Sequence, residues 1–186
     1  NLECLKKDLG FSEGILYPDT YFYSSEDSLA EILINAELRM AQALDEVWIN
    51  KNEDNLNSKS ELLILASIIE KEGLEKKLIA GVFINRLKKN MKLQSDPTVI
   101  YAIGEDFDGN IKRSHLRIDN PYNTYRYKGL PPGPIGLVSQ SSLMAALNPE
   151  KSDFLYFVSM NNGFHKFSKT LEEHNQAVLK YQINGR

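Results

Sequence analysis

The run Leu62-Leu-Ile-Leu-Ala-Ser-Ile-Ile, followed at once by Glu70-Lys-Glu72-Gly73, constrains this chain more than any other stretch. A segment so apolar reads as a core helix from about Ser60, capped by that serine, to Glu72. It delivers two carboxylates to a helix C-terminus, where the macrodipole disfavours anions. At about 100° per residue, Glu70 and Glu72 stand roughly 200° apart around the axis, so one site cannot hold both. Glu72 follows Ile68 and Ile69 at the i−4 and i−3 positions, whereas Glu70 follows the smaller and wetter pair Ala66 and Ser67. A carboxyl held against apolar side chains loses solvation of its charged form, and its pKa rises. Such a group stays protonated near neutral pH and can donate to a leaving oxygen. Gly73 lets another backbone or a ligand approach it closely. A plainer reading stands beside this one: both carboxylates simply solvate the end of a core helix.

Around this helix the chain of 186 residues reads as one α+β domain, a helical framework around a small strand-and-loop insert. A helix is expected over Ser25–Trp48, capped by Ser25 or Asp27, with a stripe that includes Leu29, Leu33, Met40 and Val47. Residues 1–24 read as short extended pieces and turns, and 50–58 as a polar loop. A third helix is expected over Leu74–Lys89. From Asn90 to Gly136 the glycines and five of seven prolines predict loops and short strands rather than helices. Ser141–Leu147 reads as a short helix, and Phe154–Ser159 as the best strand. The Asn161-Asn-Gly163 turn returns the chain into His165–Ser168, and Leu171–Tyr181 closes as a helix.

Composition narrows the function classes. A formal charge of −3 argues against nucleic acid, which needs concentrated Lys and Arg. No run of about eighteen apolar residues is present to span a bilayer. The lone Cys4 allows no intrachain disulfide, and His115, His165 and His174 lack metal-ligand spacing, so no metal or cofactor is expected. Asp106-Phe-Asp108-Gly-Asn110 fails as a calcium loop, with Ile111 at the sixth position and Arg117 at the twelfth. Phosphate-cradling and nucleophile-elbow motifs are absent.

The long segment from 90 to 136 carries the candidate binding residues Gln94, Asp96 and Thr98, with Tyr101, then Tyr122, Asn123 and Tyr125, and finally Gly129–Ile135. Amides, hydroxyls and flat aromatic faces suit a sugar chain, although any long loop is rich in the same residues. His165 reads either as a hairpin residue or as a further ligand contact, and His174 as a helix-face residue.

Several strings together resemble one family. Ala66-Ser-Ile-Ile-Glu-Lys-Glu72, Val82-Phe-Ile-Asn-Arg-Leu87 and Leu93-Gln-Ser-Asp-Pro-Thr-Val-Ile-Tyr101 are similar in order to the MltG (YceG-like) endolytic murein transglycosylases. So are Glu13-Gly14, Tyr17–Thr20, Pro121–Tyr125, Gly129–Pro132, Ala146–Pro149, Tyr156–Val158, His165–Ser168 and His174-Asn175. Ser95 departs mildly, standing where that family more often has Thr. The resemblance implies a lysozyme-like active-site helix ending in the catalytic Glu, here Glu72. It further implies cleavage of the MurNAc-β-1,4-GlcNAc bond inside nascent peptidoglycan strands, leaving 1,6-anhydroMurNAc ends and terminating elongation. Gln94, Asp96, Thr98, Tyr122, Asn123, Tyr125 and His165 are then the expected substrate contacts. Peptidoglycan synthases are the implied partners. The resemblance also implies a single-pass inner-membrane anchor and a LysM-like domain ahead of a catalytic domain that faces the periplasm. Neither lies within these 186 residues, so the chain is expected to be that catalytic domain excised.

Overall fold

In the computed structural model, residues 12–51 and 55–184 are described; Cys4, residues 1–11 of the expected N-terminal pieces and part of the 50–58 loop lie outside them. The first helix, α1 (Leu29–Ile49), starts at the first residue of the stripe, four residues later than the expected Ser25. Ser28 caps it, because Glu31 three residues on completes a reciprocal capping box that neither Ser25 nor Asp27 can make. Asp27 instead accepts from the Ser24 amide at 2.6 Å and closes the preceding turn. Likewise α2 (Lys59–Glu72) is capped by Ser58 rather than Ser60, since Glu61 is the residue whose amide Ser58 can reach.

Every residue from Leu62 to Ile69 is buried, so α2 is wrapped on all sides and its apolar run has no wet face. Leu62, Leu65, Ile68 and Ile69 show no exposed surface at all, each contributing on the order of 2 kcal/mol by burial. The wrapping comes from α1, from α3 (Lys76–Lys88), from α4 (Asp96–Ile103) and from α5 (Gln140–Leu147). Gly81 lets α3 lie close to the loop after α5, where a Cβ would sit 2.5 Å from the Glu150 carbonyl oxygen.

Helix α4 corrects the expectation of strands and loops alone between 90 and 136. Asp96 opens it and Pro97 sits in its first turn, where a missing N–H costs nothing. No strand lies in that segment; it continues as loops with short 3₁₀ turns at Gly104–Asp106 and His115–Arg117. The strands are the expected hairpin downstream. There β1 (Tyr156–Ser159) pairs antiparallel with β2 (His165–Ser168), Tyr156 opposite Ser168 and Ser159 opposite His165. Asn161 and Gly163 hold positive φ in the turn. Thr170 caps α6 (Leu171–Val178), which runs on as a π-helical turn over Leu179–Ile183 and packs on the hairpin. The fold is α+β, with a helical body and one small sheet. No helix among the described residues is long and apolar enough to cross a membrane.

Candidate active site

The two carboxylates at the end of α2 meet opposite environments. Glu70 turns toward the start of α5. Its Oε2 accepts from the Ser139 hydroxyl at 2.5 Å, the Ser142 hydroxyl at 2.6 Å and the Ser139 amide at 3.2 Å. Lys76 Nζ adds an ion pair at 3.0 Å. Burial alone would raise this carboxyl, but the bonds from Ser139, Ser142 and Lys76 outweigh it and hold its pKa at about 2. Glu70 is thus a fixed anion that ties α2 and α3 to the N-terminus of α5.

Glu72 faces a cleft of about 700 Å³. Its Oε1 accepts from the Ser95 hydroxyl at 2.5 Å. Burial is the main influence on its pKa and drives it up from 4.5 to about 7; the nearby Asp96 charge adds to the rise, while Ser95 and Arg86 oppose it. An acid of this strength is populated in both protonation states near neutral pH, as a group that first gives and then takes a proton requires.

Ser95 is held from behind by a buried hydroxyl cluster. Its amide donates to Thr124 Oγ1 at 3.0 Å, Thr98 Oγ1 donates to its carbonyl at 2.7 Å, and the two threonine hydroxyls lie 2.8 Å apart. Thr98, expected to touch sugar, is fully buried and braces Ser95 instead. Asn123 is buried too, donating to the Leu116 and Ile118 carbonyls at 3.2 and 2.9 Å. Tyr122 packs its ring, tilted by 50°, against Tyr101 at 4.7 Å, outside the cleft. Thr98, Tyr122 and Asn123 therefore do not line the cleft, and of the three Thr98 supports its wall from behind.

Gln94, Asp96, Tyr125 and His165 do line the cleft with Glu72. Gln94 holds a φ of +50°, a strained backbone for a residue other than glycine and of a kind that concentrates at functional sites. The Tyr125 hydroxyl donates to Asp96 Oδ1 at 2.6 Å; burial first, and this acceptor second, push the phenol's pKa up. His165 is oriented by Glu75, whose Oε2 accepts from the His165 amide at 2.7 Å and lies 3.0 Å from Nδ1.

Much of the remaining lining was not anticipated. It is made by β1, from Tyr156 to Ser159, and by the α6 face bearing Leu171, His174, Asn175 and Val178, with Gln182 beyond. The Gly129–Pro131 stretch lines a different depression, beside Leu56 and Leu87. Arg86 was also missed. It is buried beside Glu72, donating to the carbonyls of Leu155 at 2.6 Å and Leu93 at 2.7 Å, with Tyr156 under its guanidinium. It pins the hairpin to the Leu93–Ser95 wall, and its signal was visible: a cation on the apolar stripe of α3, one turn after Val82 and Phe83. Among the described residues no three His, Cys, Asp or Glu are grouped to hold a metal.

This site belongs to a recognisable group of proteins. The YceG-like family model matches residues 2–180. The endolytic murein transglycosylase of Bacillus subtilis is 46% identical over 172 residues, covering 91% of this chain and 48% of the relative. That of Streptococcus pneumoniae serotype 2 is 35% identical over 183 residues, covering 94% of this chain and 33% of the relative. The chain thus spans half the length, or less, of the curated relatives it matches. A crystal structure of a YceG-like protein from Listeria monocytogenes superposes with a TM-score of 0.76 at 45% identity, covering 88% of this chain and 54% of that one. On these matches, which run almost the full length of the sequence, the chain belongs to the YceG-like family.

Proposed function

We propose that this chain carries the catalytic centre of an endolytic peptidoglycan lytic transglycosylase, with Glu72 as its single acid/base. The observation that carries the reading is the Glu72 carboxyl, held at a pKa of about 7 on the floor of an open cleft. Relatives named endolytic murein transglycosylase supply the substrate class. The bond to be cut is the β-1,4 link from N-acetylmuramic acid to N-acetylglucosamine. Protonated Glu72 donates to the glycosidic oxygen as its bond to C1 breaks. The resulting carboxylate then takes the proton from the muramoyl C6 hydroxyl as that oxygen closes on C1, giving a 1,6-anhydro end. The sugar is its own nucleophile, so no second carboxylate has to attack.

Ser95 holds the Glu72 carboxyl in place, Gln94, Asp96, Tyr125 and His165 contact the strand, and Arg86 fixes both walls. In the cell the reading places the site at the outer face of the inner membrane, through an anchor outside this chain. There it terminates growing strands beside peptidoglycan synthases.

Asp96 favours a second reading, hydrolysis, because it is a carboxylate lining the same cleft. Asp119 offers no such base: it is paired with Arg126 and Tyr127 away from the opening. Mass spectrometry of digested strands separates the two. Transglycosylation gives ends that lack one water relative to hydrolysis. A non-catalytic glycan-binding module would release no product, and Glu72→Gln would then change nothing.

A further inference from the structure

Two histidines border the cleft, and their hydrogen bonding differs. His165 Nδ1 lies 3.0 Å from Glu75 Oε2, and the same oxygen takes the His165 amide at 2.7 Å. A carboxylate only accepts, so Nδ1 carries the proton, and in that tautomer Nε2 is a bare acceptor. The Cε1 edge is set against Gly73, where an added Cβ would come within 2.8 Å of it. That leaves the Nε2 and Cδ2 side toward the cleft that His165 lines.

His174 is the reverse case. Its Nδ1 is buried with no hydrogen-bond partner among the described residues, behind a ring stacked on Tyr156 at 5.3 Å. An orphaned buried N–H is rarer and costlier than an orphaned lone pair, so the proton belongs on the other nitrogen. Burial, and then the Arg86 charge, lower the pKa of this ring and keep it neutral. The residue is partly exposed and lines the cleft, so it shows solvent the edge that carries Nε2–H.

We propose that His165 and His174, both lining the cleft, are locked in opposite tautomers, one accepting and one donating through Nε2, and that His174 donates to the N-acetyl carbonyl of a bound sugar. This rests on the glycan-strand reading above. An acetamido oxygen fits better than a carboxylate, because the His174 ring is held neutral and offers a single N–H donor with no positive charge for an anion. His174 is then a specificity residue that distinguishes acetylated sugars, and Glu75 positions its counterpart.

The tautomers can be read without any ligand, by ¹⁵N NMR of the imidazoles in the 186-residue chain. Nε2–H is expected for His174 and Nδ1–H for His165, and Nδ1–H at His174 would overturn the proposal. Binding is then measured calorimetrically in a Glu72→Gln background, with acetylated and with N-deacetylated glycan strands. His174→Phe keeps the stacking and removes the donor, so it should weaken acetylated strands about tenfold, one lost hydrogen bond. His174→Gln restores an amide donor and should bind within about twofold of the parent. On N-deacetylated strands His174→Phe should cost nothing further, and an undiminished tenfold loss there would overturn the acetyl assignment. Should the parent bind no strand while the tautomers are as expected, the glycan reading itself has failed.

Discussion

Replacing Glu72 by Gln should stabilise this protein, and only at high pH. A carboxyl raised from 4.5 to about 7 in the folded state binds its proton more tightly than in the unfolded chain. Below pH 4.5 both states are protonated and the site carries no penalty. Between 4.5 and 7 the unfolded chain ionises first, so stability falls as pH rises, and above 7 the full penalty is present. At about 1.4 kcal/mol per tenfold in proton affinity, it amounts to about 3 kcal/mol. The substituted glutamine has nearly the shape of the acid and still offers Ser95 a carbonyl to donate to, so little else is lost. Thermal denaturation of both proteins at pH 4 and pH 8 reads the difference. Equal Tm values are expected at pH 4, and a gain of about 6–12 °C for the variant at pH 8, scaled for a chain of this size. A gain of the same size at both pH values, or a loss at pH 8, would refute the claim that burial holds Glu72 protonated.

Ser95→Ala removes the donor to the Glu72 carboxylate and should move the alkaline limb of kcat/KM upward from near 7 by about one pH unit or more, as a charge-assisted bond of this kind implies; a pH–rate profile with an unmoved limb contradicts it. Glu70→Gln should leave strand cleavage intact but lower stability by about 2 kcal/mol at pH 7, discounted for a side chain that is partly solvated. That deficit should shrink as pH falls from 4.5 toward 2, where native Glu70 itself becomes protonated and its contribution is lost. A folded Glu70→Gln protein unable to cut strands would move the acid role to Glu70. Gly73→Ala pushes a methyl against the His165 ring, so kcat/KM should drop several-fold with a smaller change in Tm; unaltered kinetics would show that the ring's placement is unimportant.

The most local parts of this account were legible in the sequence. Apolar neighbours one turn before Glu72 separated it from Glu70, and the same helix geometry holds in the fold, because an α-helix fixes those offsets wherever it lies. The hairpin was legible for a similar reason, with a β-rich run and a turn at Asn161–Gly163. Helix caps were misplaced by one to three residues: Ser25, Asp27 and Ser60 have the right chemistry for caps, but Ser28 and Ser58 have their partners Glu31 and Glu61 three residues ahead. Helix α4 was hidden by Pro97, which reads as a breaker unless its place in a first turn is recognised. The lining from β1 and α6 could not be read, since their approach to Glu72 is a tertiary event set by Arg86 bonding to Leu155 and Leu93. Thr98 and Asn123 misled because polar side chains suit a sugar and a buried brace equally well.

The most direct test of the central claim is the mass of the ends released from purified glycan strands by the native protein and by Glu72→Gln. Anhydro ends from the native protein and no new ends from the variant are expected. Ends that have gained water, or undiminished cutting by Glu72→Gln, would contradict a single acid/base at Glu72 whose nucleophile is the sugar.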